Sequence, residues 1–178
     1  PNGHPDKEAM ARESQASIHW VGSAEQCVAS TPWLAKYMDD FRLIPGVELT
    51  HVPPKSIAPL AKEAKRLGAG IVVVHGETPV EPVQEGTNEA ASRCSDVDIL
   101  AHPGRLMEEI AENAKTNGIF LELSFRGGHC LGNGHVASVA RKCGASLIVD
   151  SDAHTIGDHL TPDDALRVAL GSGIRDAE

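Results

Sequence analysis

Aromatic side chains are scarce. Phe, Trp and Tyr make up 3% of the 178 residues, so Val, Ile, Leu and Ala must fill any core. Cations are in the minority: Lys and Arg number 16 against 25 Asp and Glu, for a formal net charge of -9. That excludes a non-specific nucleic-acid binder working through a basic face that displaces counterions. It does not exclude an anionic ligand, because bound cations reverse the local sign of the potential. No apolar run reaches the roughly 20 residues that span a bilayer, and no signal-peptide pattern is visible. The four cysteines, Cys27, Cys94, Cys130 and Cys143, form no C-x-x-C pair. They read as thiols of a reducing, cytoplasmic setting and not as a disulfide framework. Neither G-x-G-x-x-G nor G-x-x-x-x-G-K occurs, which sets aside the common nucleotide-binding turns.

What is present from residue 42 onward is one recurring unit: a short β-branched run, a polar loop, then an amphipathic helix. Strands are predicted at 43–49, 71–75, 98–101, 119–123 and 146–149. Each is short and nearly all apolar, as suits strands buried on both faces of a parallel sheet. Ser56 is expected to cap a helix through Leu67, Thr87 one through Arg93 and Asn133 one through Lys142, and a further helix runs from Arg105 to Asn117, with Gly68, Gly118 and Gly144 as stops. Thr161, followed by Pro162, Asp163 and Asp164, is a further helix start: a side-chain oxygen, a fixed φ and two acids at the positive end. Before residue 42 the pattern is weaker, with helix at 6–12 and 24–38 and an extended piece at 16–19. The whole chain, 1–178, reads as one α/β domain, either barrel-like or an open doubly wound sheet.

The metal-capable residues fall at strand ends. Glu48 closes the first legible strand, His75 the second and His102 the third, while Asp152 and His154 follow the fifth. In a parallel α/β fold all strand C-termini open on one side, where active sites collect. Imidazoles with carboxylates suit Zn, Mn or Fe. Any one of these residues alone could be a hydrogen-bonded structural group, a cap or an Asx turn. Their recurrence at corresponding strand ends is what points to a shared site.

Gly46-Val47-Glu48, Ala101-His102-Pro103-Gly104 and Ser151-Asp152-Ala153-His154 resemble, in that order, the glycine-x-glutamate, His-Pro and Asp-x-His motifs of the PHP (polymerase and histidinol phosphatase) superfamily. Stretches 45–54, 72–78 and 127–136 resemble its small, stand-alone histidinol-phosphatase-like branch, and the resemblance covers 42–175. It implies a distorted (β/α)7 barrel-like fold whose N-terminal βα part is incomplete here, and two or three divalent ions (Zn, Mn or Fe). By the resemblance Glu48 bridges two ions, His75 and His102 hold one of them, Asp152 another, and His154 serves a further ion. Asp152, His154 and Glu48 would carry catalysis, and Arg126 would reach a substrate phosphate.

The family's opening His-x-His pair is absent. It would lie before Pro1, with His4 a later ligand. The family's Asp-His motif has its counterpart near Ser17 to Gly22, where either His19 or Trp20 takes the imidazole position. His51 reads as a surface residue, and His129 and His135 as loop and helix residues outside the site.

The function expected from these readings is that of a metal-dependent phosphatase: hydrolysis of a phosphate monoester, histidinol phosphate being one candidate, by a metal-bridged hydroxide. The partners would be a small phosphorylated substrate, with a homo-oligomer open to the chain, and no nucleic acid and no membrane. The alternatives are a non-catalytic PHP-like subunit or binding module that keeps part of the metal site, and a hydrolase of non-phosphate substrates.

Overall fold

The computed structural model describes residues 19–21 and 44–175. His4 and the helices expected at 6–12 and 24–38 lie outside the described residues. Among the described residues six strands run β1 His19–Val21, β2 Ile44–Leu49, β3 Ile71–His75, β4 Ile99–Ala101, β5 Phe120–Ser124 and β6 Leu147–Asp150. Five α-helices of the described residues alternate with them: α1 Pro54–Arg66, α2 Thr87–Ser92, α3 Glu108–Asn117, α4 Asn133–Cys143 and α5 Pro162–Gly171. Parallel neighbours need a crossover rather than a hairpin, and α1 to α4 supply it between β2 and β6.

The strands form one sheet in the order β1-β2-β3-β4-β5-β6, each pair parallel. Among the described residues the sheet is open, with β1 and β6 as its edges. The described strands thus form a parallel sheet as expected, and closure into the expected seven-unit barrel is not seen among them. Alternating strands and helices dictate parallel pairing, but they do not dictate that the two edges meet.

The core lies between the sheet and the helices. Val72, Val74, Leu100, Leu121 and Leu123 from the strands meet Ile57, Ala61, Ala111, Ala114, Val136, Ala137 and Ala140 from the helices, all buried. Buried alanines on the inner faces of α1 to α4 let those helices sit close to the apolar strand surface.

Helix ends follow local chemistry, with shifts from expectation: Thr87 and Asn133 are the first residues of α2 and α4 and not their caps. α1 starts at Pro54 and not at a Ser56 cap, because Pro54 brings a helical φ to the first turn. α3 starts at Glu108, three residues after the expected Arg105. Gly104 takes φ +61 and the Leu106 amide donates to its carbonyl, so the chain turns before it coils. Gly118 and Gly144 end α3 and α4 in left-handed conformation, as expected. Thr161 and Asp164 form a capping box at α5.

Candidate metal centre

The parallel register sets the site. Glu48 is level with Val73, His75 with Ala101, and Ser124 with Asp150. Glu48, His75, His102 and Asp152 therefore all stand at or just past the C-terminal edge of the sheet. His19 is paired with Ile44, four residues before Glu48, so its Cα lies about 13 Å below the level of Glu48 at 3.3 Å per residue.

The loops after β3 and β4 are pressed together by glycine. A Cβ on Gly76 would run into the Ala101 carbonyl, and one on Gly104 into the Glu77 carbonyl. The Gly76 amide instead donates to Ala101 at 2.9 Å. Buried Asn88 ties the same loops, donating to the Pro103 carbonyl at 2.8 Å and accepting from the Glu77 amide at 3.0 Å. The His-Gly and His-Pro-Gly sequences thus bring two imidazoles face to edge, with ring centroids 4.4 Å apart.

The orientation of those rings is fixed from behind. His102 Nδ1 lies 3.0 Å from Glu122 Oε2, which also accepts from the His102 backbone amide at 2.8 Å. His75 Nε2 lies 3.1 Å from the Glu81 carbonyl. A carbonyl and a carboxylate are acceptors, so each ring keeps a proton on its far nitrogen. The near nitrogens, His75 Nδ1 and His102 Nε2, then face one another at 3.0 Å with lone pairs, and Glu48 Oε1 stands 3.3 Å from His75 Nδ1. Three acceptors converge on one point, and only a proton or a cation relieves their repulsion. Ligand nitrogens about 2.1 Å from a tetrahedral ion stand about 3.4 Å apart, so this donor set fits one with little movement. The acceptors behind the imidazoles are those that orient metal-binding histidines.

Electrostatics agree. Burial disfavours charge on His75, but hydrogen bonds to Glu48 and to the Glu81 carbonyl outweigh it and raise its pKa. Burial likewise opposes ionisation of Glu48, yet the hydrogen bonds of His75 and Thr50 bring its pKa below the usual value. His102, buried and beside His75, is pushed down to about 4. Burial raises Glu122 to about 7. A left-handed backbone at His102 and Asp152, φ +30 and +46, is uncommon for residues with a side chain and marks both as held in place.

Two triads offer ligand atoms that all lie within 4.8 Å of one another: Glu48, His75 and His102, and His102, His129 and Asp152. His154 joins neither among the described residues. Its ring is exposed, contacts the Arg126 guanidinium, and places Nδ1 2.8 Å from the Asp152 carbonyl. Arg126 Nη1 also reaches Asp152 Oδ2 at 3.4 Å. His51 is exposed, and its ring centroid is 6.0 Å from that of His75. His129 and Glu122 are the residues that sequence reasoning missed. The signal for Glu122 is an acid within an apolar strand buried on both faces. For His129 it is a Gly-Gly-His turn one strand further along the same edge.

A parallel α/β sheet with a ligand cup at its C-terminal edge is thus the class that fold and site define. No family model matches the chain. An uncharacterised protein of Methanocaldococcus jannaschii is 54% identical over 145 residues, which cover 82% of this chain and 66% of that protein, just under two thirds of its length. Among solved structures, a chain of archaeal ribonuclease P, imaged by cryo-EM with mature tRNA, superposes with a TM-score of 0.70 at 18% identity. That match covers 94% of this chain and 79% of the other.

The second likeness corrects the functional expectation. The same fold serves in a protein of an RNA-containing assembly, so the hydrolase and phosphatase reading, and with it the exclusion of nucleic acid, does not stand. The charge argument had excluded only binding through a basic face; it leaves RNA contacts that run through bound cations untouched. Among the described residues no helix is long and apolar enough to cross a membrane.

Proposed function

We propose that this chain is a non-catalytic, PHP-like subunit of an RNA-containing assembly, and that it meets RNA phosphates through a cation-loaded cup. The fold likeness to the ribonuclease P chain, extending over 94% of this chain, carries the reading. Glu48, His75 and His102 would hold a divalent ion, with Asp152 beside them. The ion supplies positive charge where the chain itself is acidic. With a net charge of -9, an empty cup would repel a phosphate. Arg126, at the rim on the Asp152 side, adds a guanidinium fork suited to a phosphate oxygen pair.

The test is fluorescence anisotropy with labelled mature tRNA at near-physiological salt, using metal-loaded and chelator-stripped protein. Binding in the micromolar range is expected for the loaded protein. It should be lost on chelation and in His102→Ala, with a shallow salt slope because few phosphates are touched. Absence of binding by the loaded protein up to about 0.1 mM, the weak end of non-specific affinity, overturns the reading.

A further inference from the structure

Building on the RNA reading of the cup, we propose that the groove between α4 and the end of α5 binds the phosphates of the same RNA strand as it leaves the cup. Among the five described α-helices α4 is the exception: it carries no Asp or Glu, whereas each of the others carries at least one. No acid occurs anywhere between Glu122 and Asp150, where Arg126, Arg141 and Lys142 stand, although the chain has 25 acids. A chain of net charge -9 repels a polyanion over most of its surface, and α4 is where that repulsion is relieved.

The groove has a volume of about 540 Å³ and is lined by Gly134, Ser138, Arg141 and Lys142 of α4 and by Ser172 and Gly173, just past α5. Gly134, Ser138 and Arg141 are spaced by four and three residues, so they share one face of α4. All four α4 residues are exposed. A Cβ on Gly134 would meet no atom of the described residues within 4 Å. Packing therefore does not demand glycine there, and alanine would suit a helix better. What the missing Cβ keeps open is the groove. Ser138 adds a hydroxyl that can donate to a phosphate oxygen or meet a ribose 2′-hydroxyl. At the far end Lys142 Nζ lies 2.6 Å from Glu108 Oε1, with side chains 66% and 54% exposed. Water screens such a pair, so a phosphate can take the place of Glu108. Arg141 also keeps a contact within the chain, but its guanidinium has N–H donors enough to serve a phosphate as well.

The groove begins at the rim of the cup. α4 starts at Asn133, whose side chain accepts from the Ser124 amide at 3.0 Å and donates to the Ser124 carbonyl at 2.8 Å, at the end of β5. Arg141 lies eight residues further, or ~12 Å along the helix at 1.5 Å per residue. A stacked strand advances about 3.4 Å per nucleotide, so roughly three to four nucleotides cover that distance.

The experiment measures binding of the metal-loaded full chain to labelled oligouridylates of about three and about ten nucleotides, by fluorescence anisotropy over a salt series. The longer strand should bind wild type at least about tenfold more tightly than the shorter one. Arg141→Ala combined with Lys142→Ala should cut that advantage to within about threefold and flatten the salt slope by about 1.4, or about 0.7 for each phosphate released. Affinity for the shorter strand and for Zn(II) should not change. Ser138→Glu, which sets an anion in the groove at an exposed position, should weaken binding of the longer strand alone. Unchanged affinity of the double variant for the longer strand overturns the proposal and leaves the reading of the cup standing. Tighter binding of an equally long oligoglutamate, lost in the double variant, overturns it in favour of an acidic peptide. If wild type binds neither oligouridylate, the proposal and the reading of the cup fall together.

Discussion

The inner and outer halves of the cup are built differently. On the inner half, His75 ends strand β3 and His102 directly follows β4; they are 4% and 3% exposed, and have their far nitrogens turned onto acceptors. On the outer half, Arg126 and His154 sit on loops, contact each other, and are partly or largely open to solvent. Asp152 bridges the two. A side chain at a strand end inherits its position from the sheet ladder, and its neighbours need only set the ring angle. A side chain on a loop depends on contacts that water can replace. The comparison teaches that the inner half holds its side chains in fixed positions, as the proposed ion would require, whereas the outer half is adjustable.

The sharpest way to break this comparison is to remove the group behind the inner half. Glu122 is 1% exposed, and one of its oxygens accepts from both the amide and the ring of His102. Glu122→Ala leaves two buried donors without a partner, which costs about 3 kcal/mol in unfolding free energy. Urea denaturation measures it. Glu122→Gln keeps an acceptor oxygen and should lose less than about 1 kcal/mol. Equal losses in the two variants would mean that Glu122 acts by filling volume and not by orienting His102.

Next in size is the contrast in metal affinity. His75→Ala removes one of three inner ligands and should weaken Zn(II) binding by roughly a hundredfold, at least the effect of disturbing an outer-shell partner. His154→Ala, whose ring lies in neither ligand triad, should weaken it by less than about threefold, within the spread of a non-ligating change. Competition with a chromophoric chelator reads both. A larger effect from His154 than from His75 would reverse the assignment of inner and outer halves.

The inner half was the more legible of the two in the sequence, for a physical reason. An apolar run of four to six residues with a polar residue at its end is the mark of a buried parallel strand that opens into a site. That mark located Glu48, His75 and His102, and strand β3 falls on its predicted residues. Loops carry no such period. The hydrogen bonding that turns His154 toward Arg126, and the Gly-Gly turn that swings His129 inward, depend on long-range contacts that local pattern does not encode. Glu122 carries no local mark of its role: its strand reads as buried on both faces, but which group its carboxylate serves is set by His102, twenty residues away past the neighbouring strand. The same limit applies to closure: strand positions follow from local pattern, but whether the edge strands meet depends on tilt and stagger summed over the sheet.

The smallest effect expected concerns Arg126. Its guanidinium approaches Asp152 Oδ2 at 3.4 Å and the Asp152 carbonyl at 3.3 Å, with its side chain 35% exposed. Ion pairs of such exposure contribute about 0 to 1 kcal/mol, since water screens the charges and a long side chain must be immobilised. Arg126→Ala should therefore lower unfolding free energy by less than about 1 kcal/mol, with the difference shrinking further in high salt. Metal affinity should stay within about threefold or rise slightly, because the substitution withdraws a positive charge from beside Asp152. If the outer half is instead a rigid support for the inner one, Arg126→Ala would cost several times more stability and would weaken metal binding as much as His75→Ala does. Urea unfolding at two salt concentrations and the same chelator competition separate these outcomes, since a solvated rim contact responds to salt whereas a buried support does not.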